Sequence, residues 1–178
     1  DLPVAMKMTG QVDVAALRGA VADVIARHES LRTRYPDSDS GPYQVIVDAD
    51  AAAVELTPVA TTQADLLGAV TEFAMRGFDV TTQVPLRVQL FDVTDTPDAD
   101  TTDTFVFVLV AHHISGDGWS LAPLARDVML AYAARREGNA PTWEPLPVQY
   151  ADYSLWQRKV LGSEDDPQSL LARQIGYW

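Results

Sequence analysis

The 178-residue sequence contains no cysteine, only two lysines and no hydrophobic run long enough to cross a membrane. The absence of cysteine excludes a disulfide framework, a thiolate metal site and a cysteine nucleophile, and it suits a reducing cytoplasm. The apolar stretch at residues 105–111 ends at once in two histidines, well short of a membrane span. The first residues also lack the basic start and apolar stretch of a secretory signal. We therefore expect a cytoplasmic location.

Positive charge is scarce as well. The sequence has 13 lysines and arginines against 25 aspartates and glutamates, and its formal net charge is −12. Such a surface repels phosphate backbones and anionic lipid head groups, so we expect neither nucleic acid nor membrane as a partner. Hydrophobic residues make up 47% and charged residues 21%, which is ordinary for a folded protein. The length suffices for one compact domain or for one lobe of a larger one.

Strands and helices are predicted to alternate along the chain, which indicates an α/β fold. Apolar residues recur at helical spacing over residues 14–31, behind the helix-capping Asp13. Apolar and polar residues alternate over 86–93, which predicts a strand with one covered face, whereas 105–111 is typical of a strand buried on both faces. Further strands are predicted at 2–8, 43–47 and 54–59, helices at 62–76, 121–136, 146–161 and 166–178, and a solvated loop at 94–104.

The most informative segment follows the buried strand and runs His112-His113-Ile114-Ser115-Gly116-Asp117-Gly118-Trp119-Ser120. Adjacent side chains on an extended backbone point to opposite faces, so only one of His112 and His113 can face a cleft. The two glycines beside Asp117 permit a tight turn and let other groups approach its backbone amides. The segment therefore offers a base, a carboxylate that fixes local geometry, and exposed amides near a helix start.

The same segment argues against a metal site. Zinc hydrolases with paired histidines need them one helical turn apart, together with a further ligand. Here His112 and His113 are adjacent, glycines interrupt any helix, and His28 is the only other imidazole. We therefore predict no metal ligands.

The segment resembles the signature of the condensation domains of nonribosomal peptide synthetases, H-H-x-x-x-D-G followed by Trp-Ser. Two further blocks agree in order: residues 27–35 resemble R-H-E-x-L-R-T-x-F, with Tyr35 replacing Phe, and residues 150–156 resemble Y-x-D-Y-x-x-W. The resemblance implies that residues 1–178 form the N-terminal lobe of a two-lobed fold similar to chloramphenicol acetyltransferase. That lobe has a mixed β-sheet with helices packed on it; here it is trimmed at its start, and the C-terminal lobe is absent.

The resemblance also implies a reaction and its partners. The reaction is amide-bond formation between a donor acyl or peptidyl thioester and the amine of an acceptor aminoacyl thioester. Both substrates are carried on the phosphopantetheine of carrier proteins, and this lobe itself binds no cofactor. The implied partners are an upstream donor and a downstream acceptor carrier domain, an adenylation domain of the same synthetase, and the C-terminal lobe.

Residue roles follow from the same resemblance. His113 is the residue that orients the amine and takes its proton, Gly118 offers a backbone amide near the thioester, and Asp117 holds the turn through a bond to an arginine of the second lobe. The implied catalytic residues are thus His113, Asp117 and Gly118, and the supporting residues are His112, Trp119, Ser120 and Arg32. His28, Arg27 and Arg32 are predicted to make structural contacts, and Tyr150, Tyr153, Leu155 and Trp156 to pack in the core or at the lobe interface.

Two alternative functions stay open. A noncatalytic member of the same fold would serve as a docking platform for carrier proteins or tailoring enzymes, although such relatives usually lose the second histidine or the Asp-Gly pair. A free-standing acyltransferase would use a soluble thioester instead of a carrier. An epimerising relative is expected to show D-x-V-S-W after the histidines, and a heterocyclising one an aspartate-based pattern in their place. Neither matches Asp117-Gly118-Trp119-Ser120.

Overall fold

The computed structural model describes residues 1–96 and 102–178, in two compact units, 1–144 and 145–178. Its strands are β1 (Leu2–Thr9), β2 (Thr33–Arg34), β3 (Val45–Ile46), β4 (Pro58–Thr61), β5 (Leu86–Val93) and β6 (Thr104–Ala111). Its α-helices are α1 (Val14–Arg27), α2 (Gln63–Met75), α3 (Leu121–Arg136), α4 (Tyr150–Leu161) and α5 (Leu170–Ile175), and short 3-10 turns cover Glu29–Arg32 and Asp50–Ala52. Among the described residues, no helix has the length and apolar character needed to cross a bilayer.

Four of the strands form one mixed sheet in the order β1-β6-β5-β4, and β2 and β3 form a separate pair. Within the larger sheet, β6 is antiparallel to both β1 and β5, whereas β4 is parallel to β5. Every residue of β6 is buried, because the strand is central and both faces of the sheet are covered. The mixed sheet with packed helices is therefore confirmed, as are the predicted strands at 2–8, 86–93 and 105–111. The prediction that only one face of 86–93 is covered is wrong, because Phe91 and Val93 are buried in a second core that includes Phe73 of α2.

Successive residues of β6 enter two different cores, because neighbouring side chains on a strand point to opposite faces. Phe107 and Leu109 belong to the larger core, which includes residues of α1 and α3. Val108 and Val110 belong to a smaller core that includes Phe73 of α2. The same alternation applies at the end of the strand, where the two histidines follow.

Local capping interactions set the beginnings of the first two helices as predicted. The Asp13 side chain accepts a hydrogen bond from the Ala16 N–H at 2.9 Å, and Thr62 caps α2 in the same way through the Asp65 N–H at 3.2 Å. The predicted extension of the first helix to residue 31 is wrong. At His28 the backbone leaves the helical region (φ −107°, ψ 98°), and a 3-10 turn continues to Arg32.

Four other predicted elements are longer than those observed. The strands at 43–47 and 54–59 shrink or shift to β3 and β4, since a strand forms only where a neighbour supplies hydrogen bonds, and β4 pairs with β5 from Pro58 onwards. The last two helices begin at later caps: the Gln149 N–H donates to Asp152, and the Ser169 hydroxyl accepts from Ala172. Helix α3 spans 121–136 as predicted. The predicted loop at 94–104 includes residues 97–101, which lie outside the described residues.

Candidate active site

The two adjacent histidines directly follow β6 at one end of the large sheet. At this end Ala111 pairs with Leu2 of β1 on one side and with Leu86 of β5 on the other. The backbone N–H of His112 donates to the carbonyl oxygen of Pro85 at 2.9 Å. The beginning of the turn is therefore tied to both neighbouring strands.

His112 packs inward, as the opposite-face argument predicts. Its ring meets the ring of Phe78 edge to face, with centroids 5.8 Å apart and an interplanar angle of 79°. Its Nδ1 accepts a hydrogen bond from the Ile114 N–H at 3.0 Å, and its carbonyl oxygen accepts from the N–H and the hydroxyl of Ser115. Burial lowers the pKa of His112, which favours the neutral ring that such an accepting Nδ1 requires.

His113 is exposed, in contrast to its neighbour. It lies between two residues whose positions are fixed, because His112 is packed and the Ile114 N–H is hydrogen-bonded to the His112 ring. An imidazole that is open to solvent on a fixed backbone is accessible to a substrate and can exchange a proton with it.

The histidine turn, residues 112–120, joins β6 to α3 and is closed by three hydrogen bonds between Asp117 and Ser120. Oδ1 of Asp117 accepts from the Ser120 N–H at 3.0 Å and from the Ser120 hydroxyl at 2.8 Å. The Ser120 oxygen in turn accepts from the Asp117 N–H at 3.1 Å. These bonds lower the pKa of the exposed Asp117 carboxyl. The partners described for this carboxylate thus lie within the turn itself, and a bond to an arginine of a second lobe stays a prediction.

The glycines and the tryptophan of the turn occupy different environments. A Cβ at Gly116 would lie 3.1 Å from the Ser120 Cβ, so a side chain there would require the Ser120 side chain to shift. A Cβ at Gly118 would have nothing within 4 Å, and the Trp119 side chain next to it is 90% exposed. The surface around Gly118 and Trp119 is therefore open to a ligand or a partner.

Arg27 and His28 meet one buried carboxylate of α3. The Arg27 Nε donates to Asp127 Oδ2 at 3.0 Å, and the His28 Nε2 lies 2.9 Å from the same oxygen. Burial raises the pKa of Asp127, but hydrogen bonds from His28, Arg126 and Arg27 outweigh it and lower the pKa overall. The predicted structural contacts of Arg27 and His28 are thereby confirmed.

Arg32 also makes structural contacts. Its guanidinium donates to the Val47 carbonyl oxygen at 2.5 Å and lies 3.5 Å from the Glu29 carboxylate. It therefore joins the 3-10 turn that follows α1 to the end of β3. A role for Arg32 in supporting the histidine turn stays a prediction.

The large side chains of α4 are exposed. The exposed fractions lie between 42% and 71% for Tyr150, Tyr153, Leu155 and Trp156. The prediction that they pack in the core is therefore wrong for the described chain. The rings nevertheless follow one another along the helix, with centroid distances of 5.9 Å between Tyr150 and Tyr153 and 5.7 Å between Tyr153 and Trp156. Packing of these rings at a lobe interface stays a prediction.

Sequence reasoning missed three residues that support the turn or its helix. Asp127 is the common partner of Arg27 and His28, Phe78 is the ring against which His112 packs, and Arg87 lies over Phe78. Arg87 is one of the polar residues that alternate with apolar residues in β5. That pattern predicts only that its side chain points away from the larger core. For Asp127 the available signal is its spacing from Leu124, Val128 and Ala131, which places a carboxylate on the buried face of α3.

The fold and the histidine turn define a member of the condensation domain family. The family profile described as "Condensation domain" matches residues 1–178, so the chain belongs to this family. It is 46% identical over 176 residues to the probable non-canonical nonribosomal peptide synthetase CymA of Salinispora arenicola (strain CNS-205), across 99% of this chain and 2% of CymA. It is 44% identical over 178 residues to the dimodular nonribosomal peptide synthase of Bacillus subtilis (strain 168), across 100% of this chain and 7% of that protein.

Solved structures agree with the fold. The X-domain from teicoplanin biosynthesis is 40% identical, with a TM-score of 0.88 over 99% of this chain and 37% of that chain. The same domain in a complex with OxyB gives a TM-score of 0.89. The chain therefore has the chloramphenicol acetyltransferase-like fold that the resemblance implied. The chain spans 37% of these solved chains and a small share of the synthetases it matches.

Proposed function

We propose that this chain is the N-terminal lobe of a condensation domain and joins a donor acyl or peptidyl thioester to the amine of an acceptor aminoacyl thioester. The observation that carries the proposal is the exposed His113 on a backbone fixed by the inward packing of His112. Membership of the condensation domain family and similarity to nonribosomal peptide synthetases support the substrate class.

The reaction needs a positioned base more than a strong one. The amine nitrogen attacks the thioester carbonyl, a C–N bond forms through a tetrahedral intermediate, and the C–S bond breaks. An α-amino group has a pKa of about 7.7–8.0, so a sizeable fraction is neutral at cellular pH. His113 orients this amine and takes its proton as the intermediate forms, and that proton then goes to the departing thiolate.

The turn beyond His113 supplies the remaining parts of the site. The bonds between Asp117 and Ser120 hold the backbone in place, and the open surface at Gly118 lets a thioester approach the Gly118 amide. The exposed Trp119 forms part of the wall of the substrate channel. Arg32 supports the region from β2 to β3.

The proposed partners are those of a synthetase assembly line in the cytoplasm. Donor and acceptor carrier domains bring the two thioesters on phosphopantetheine arms, and an adenylation domain of the same synthetase loads them. The C-terminal lobe closes the channel and holds the second reactant, since the alignment of two reactants supplies a large share of the rate enhancement.

A docking function is the second candidate, and one specific observation favours it. The X-domain at 40% identity is the domain solved in a complex with OxyB. A platform of this kind would use the exposed Trp119 as a contact surface and would leave His113 without a chemical role.

Reconstitution with carriers separates these possibilities. The two-lobed protein that contains this chain, the chain alone and a blank without enzyme are each mixed with loaded donor and acceptor carriers, and the dipeptidyl thioester is detected by intact mass. We expect product from the two-lobed protein and none above the blank from the chain alone. Binding of carriers without product from the two-lobed protein would favour the docking function. Turnover by the chain alone would contradict its assignment as one lobe of two.

A further inference from the structure

Arg87, the second residue of β5, binds the end of α2. Its two terminal nitrogens donate to the carbonyl oxygens of Gly77 at 2.8 Å, Arg76 at 2.5 Å and Phe73 at 3.5 Å. Carbonyls at the carboxyl end of a helix lack partners within the helix and carry partial negative charge, so a cation is favoured there. Arg87 therefore connects the segment that follows α2 to the end of the sheet at which β6 finishes.

The same guanidinium covers the ring of Phe78. Its Cζ lies 3.9 Å from the centroid of the Phe78 ring, close enough for a cation–π interaction. Burial, together with the nearby charge of Arg76, lowers the pKa of Arg87. The group nevertheless keeps its charge, because the ordinary pKa of a guanidinium lies far above neutral pH.

Phe78, which Arg87 contacts, also packs against the histidine turn. Its ring meets the ring of His112 at a centroid distance of 5.8 Å, and His112 in turn holds the Ile114 N–H through Nδ1 at 3.0 Å. His112 and Ile114 are the two neighbours of His113 in the chain. A continuous series of contacts thus runs from Arg87 through Phe78 and His112 to the backbone on either side of His113.

We propose that Arg87 is a positioning residue for His113: it holds Phe78 against His112 and thereby sets where the His113 imidazole stands. This inference rests on the proposed function, in which His113 takes the proton of the amine. Arg87 does not touch the substrate, so its effect appears in the rate of the chemical step. A displacement of about 1 Å in such a site costs about a hundredfold in rate.

The decisive variants are Arg87→Met, His113→Ala and the two combined, in the two-lobed protein with loaded carriers under single-turnover conditions. Arg87→Met keeps the length of the side chain and removes its charge and donors. We expect the rate constant for amide formation to fall about tenfold to a hundredfold, while half-saturation by the acceptor carrier is unchanged. In the His113→Ala background, Arg87→Met should cause no further loss, because the group that it positions is gone.

The matched control is Arg76→Met. Arg76 stands on the same segment, but its side chain is exposed and pairs with Glu72 of α2 at 3.1 Å. We expect this variant to stay within about twofold of the parent, since surface ion pairs contribute little. If Arg87→Met does not yield folded protein, Phe78→Leu removes the same link and carries the same expectations.

The outcomes separate this inference from the proposed function. A parental rate in folded Arg87→Met or Phe78→Leu would overturn the positioning role. So would an equal loss in the presence and absence of His113, which would indicate a general structural effect. A parental rate in His113→Ala alone would instead overturn the proposed function, whatever Arg87 does.

Discussion

The Nε2 of His28 lies 2.9 Å from Oδ2 of Asp127, which joins the end of α1 to α3 across 99 positions of sequence. Arg27 reaches the same oxygen at 3.0 Å, and its guanidinium lies 4.7 Å from the ring centroid of Trp143. Within the described residues, the first positions of the R-H-E block therefore serve the packing of α1 against α3. The proposed chemistry belongs to the histidine turn, from which α3 begins.

The buried carboxylate at this junction is predicted to be important for stability. The Asp127 side chain is only 3% exposed, so Asp127→Asn leaves the Arg27 charge without its buried partner. We expect the free energy of unfolding to fall by about 3–5 kcal/mol in urea titrations. The matched control is Asp23→Asn, which breaks the more exposed pair with Arg135 and should cost about 1 kcal/mol. Equal losses in the two variants would contradict the special role of Asp127.

The inward packing of His112 predicts a specific pH dependence of stability. Burial lowers the pKa of His112 below its ordinary value of about 6.5, so the unfolded chain binds more protons than the folded chain between the two pKa values. The contribution of His112 to stability is therefore complete above about pH 6.5 and is lost as the pH falls through that window.

Thermal unfolding midpoints between about pH 5 and pH 7.5 test this expectation. In His112→Phe an apolar ring still packs against Phe78 but does not titrate, so the midpoint should fall less on acidification than in the parent. A variant with the full parental pH dependence would show that His112 is not the responsible group.

Asp117 is predicted to affect the reaction more than the fold. Its carboxylate is exposed, and its described partners are the N–H and the hydroxyl of Ser120. Asp117→Ala should therefore open the turn without exposing the core, lowering the rate of amide formation about tenfold or more while the thermal midpoint stays close to that of the parent. Ser120→Ala removes the hydroxyl that takes part in the same contact. We expect it too to lower the rate of amide formation and to leave the thermal midpoint close to that of the parent. A fall in the midpoint as large as that of Asp127→Asn would assign Asp117 to the fold instead.

The sequence predicts those parts of the fold in which one local pattern determines the structure. Strand β6 is apolar at every position, and Asp13 and Thr62 stand directly before helical patterns, so their environments follow from short segments. The end of α1 could not be predicted in the same way. Helical spacing of apolar residues continues to Leu31, because a 3-10 turn carries the chain on after the helix and buries that residue as well.

Contacts between distant segments account for most of what was missed in the site. No local pattern links His28 to Asp127, or Arg87 to the end of α2, because each pair is assembled by the packing of helices on the sheet. The aromatic residues of α4 show what helical spacing can and cannot predict. It correctly places Tyr153 and Trp156 next to each other, but it does not predict whether their rings are buried or exposed.

The role of His113 is tested most directly by single-turnover formation of the dipeptidyl thioester in the two-lobed protein. Donor and acceptor carriers are loaded in advance, so that loading does not limit the rate, and His113→Ala is compared with the parent and with His112→Phe. We predict that His113→Ala loses about a hundredfold to ten-thousandfold in rate, with carrier loading intact. We expect a smaller loss in His112→Phe, which removes the acceptor of the Ile114 N–H but keeps the His113 imidazole. A near-parental rate in folded His113→Ala would contradict the account.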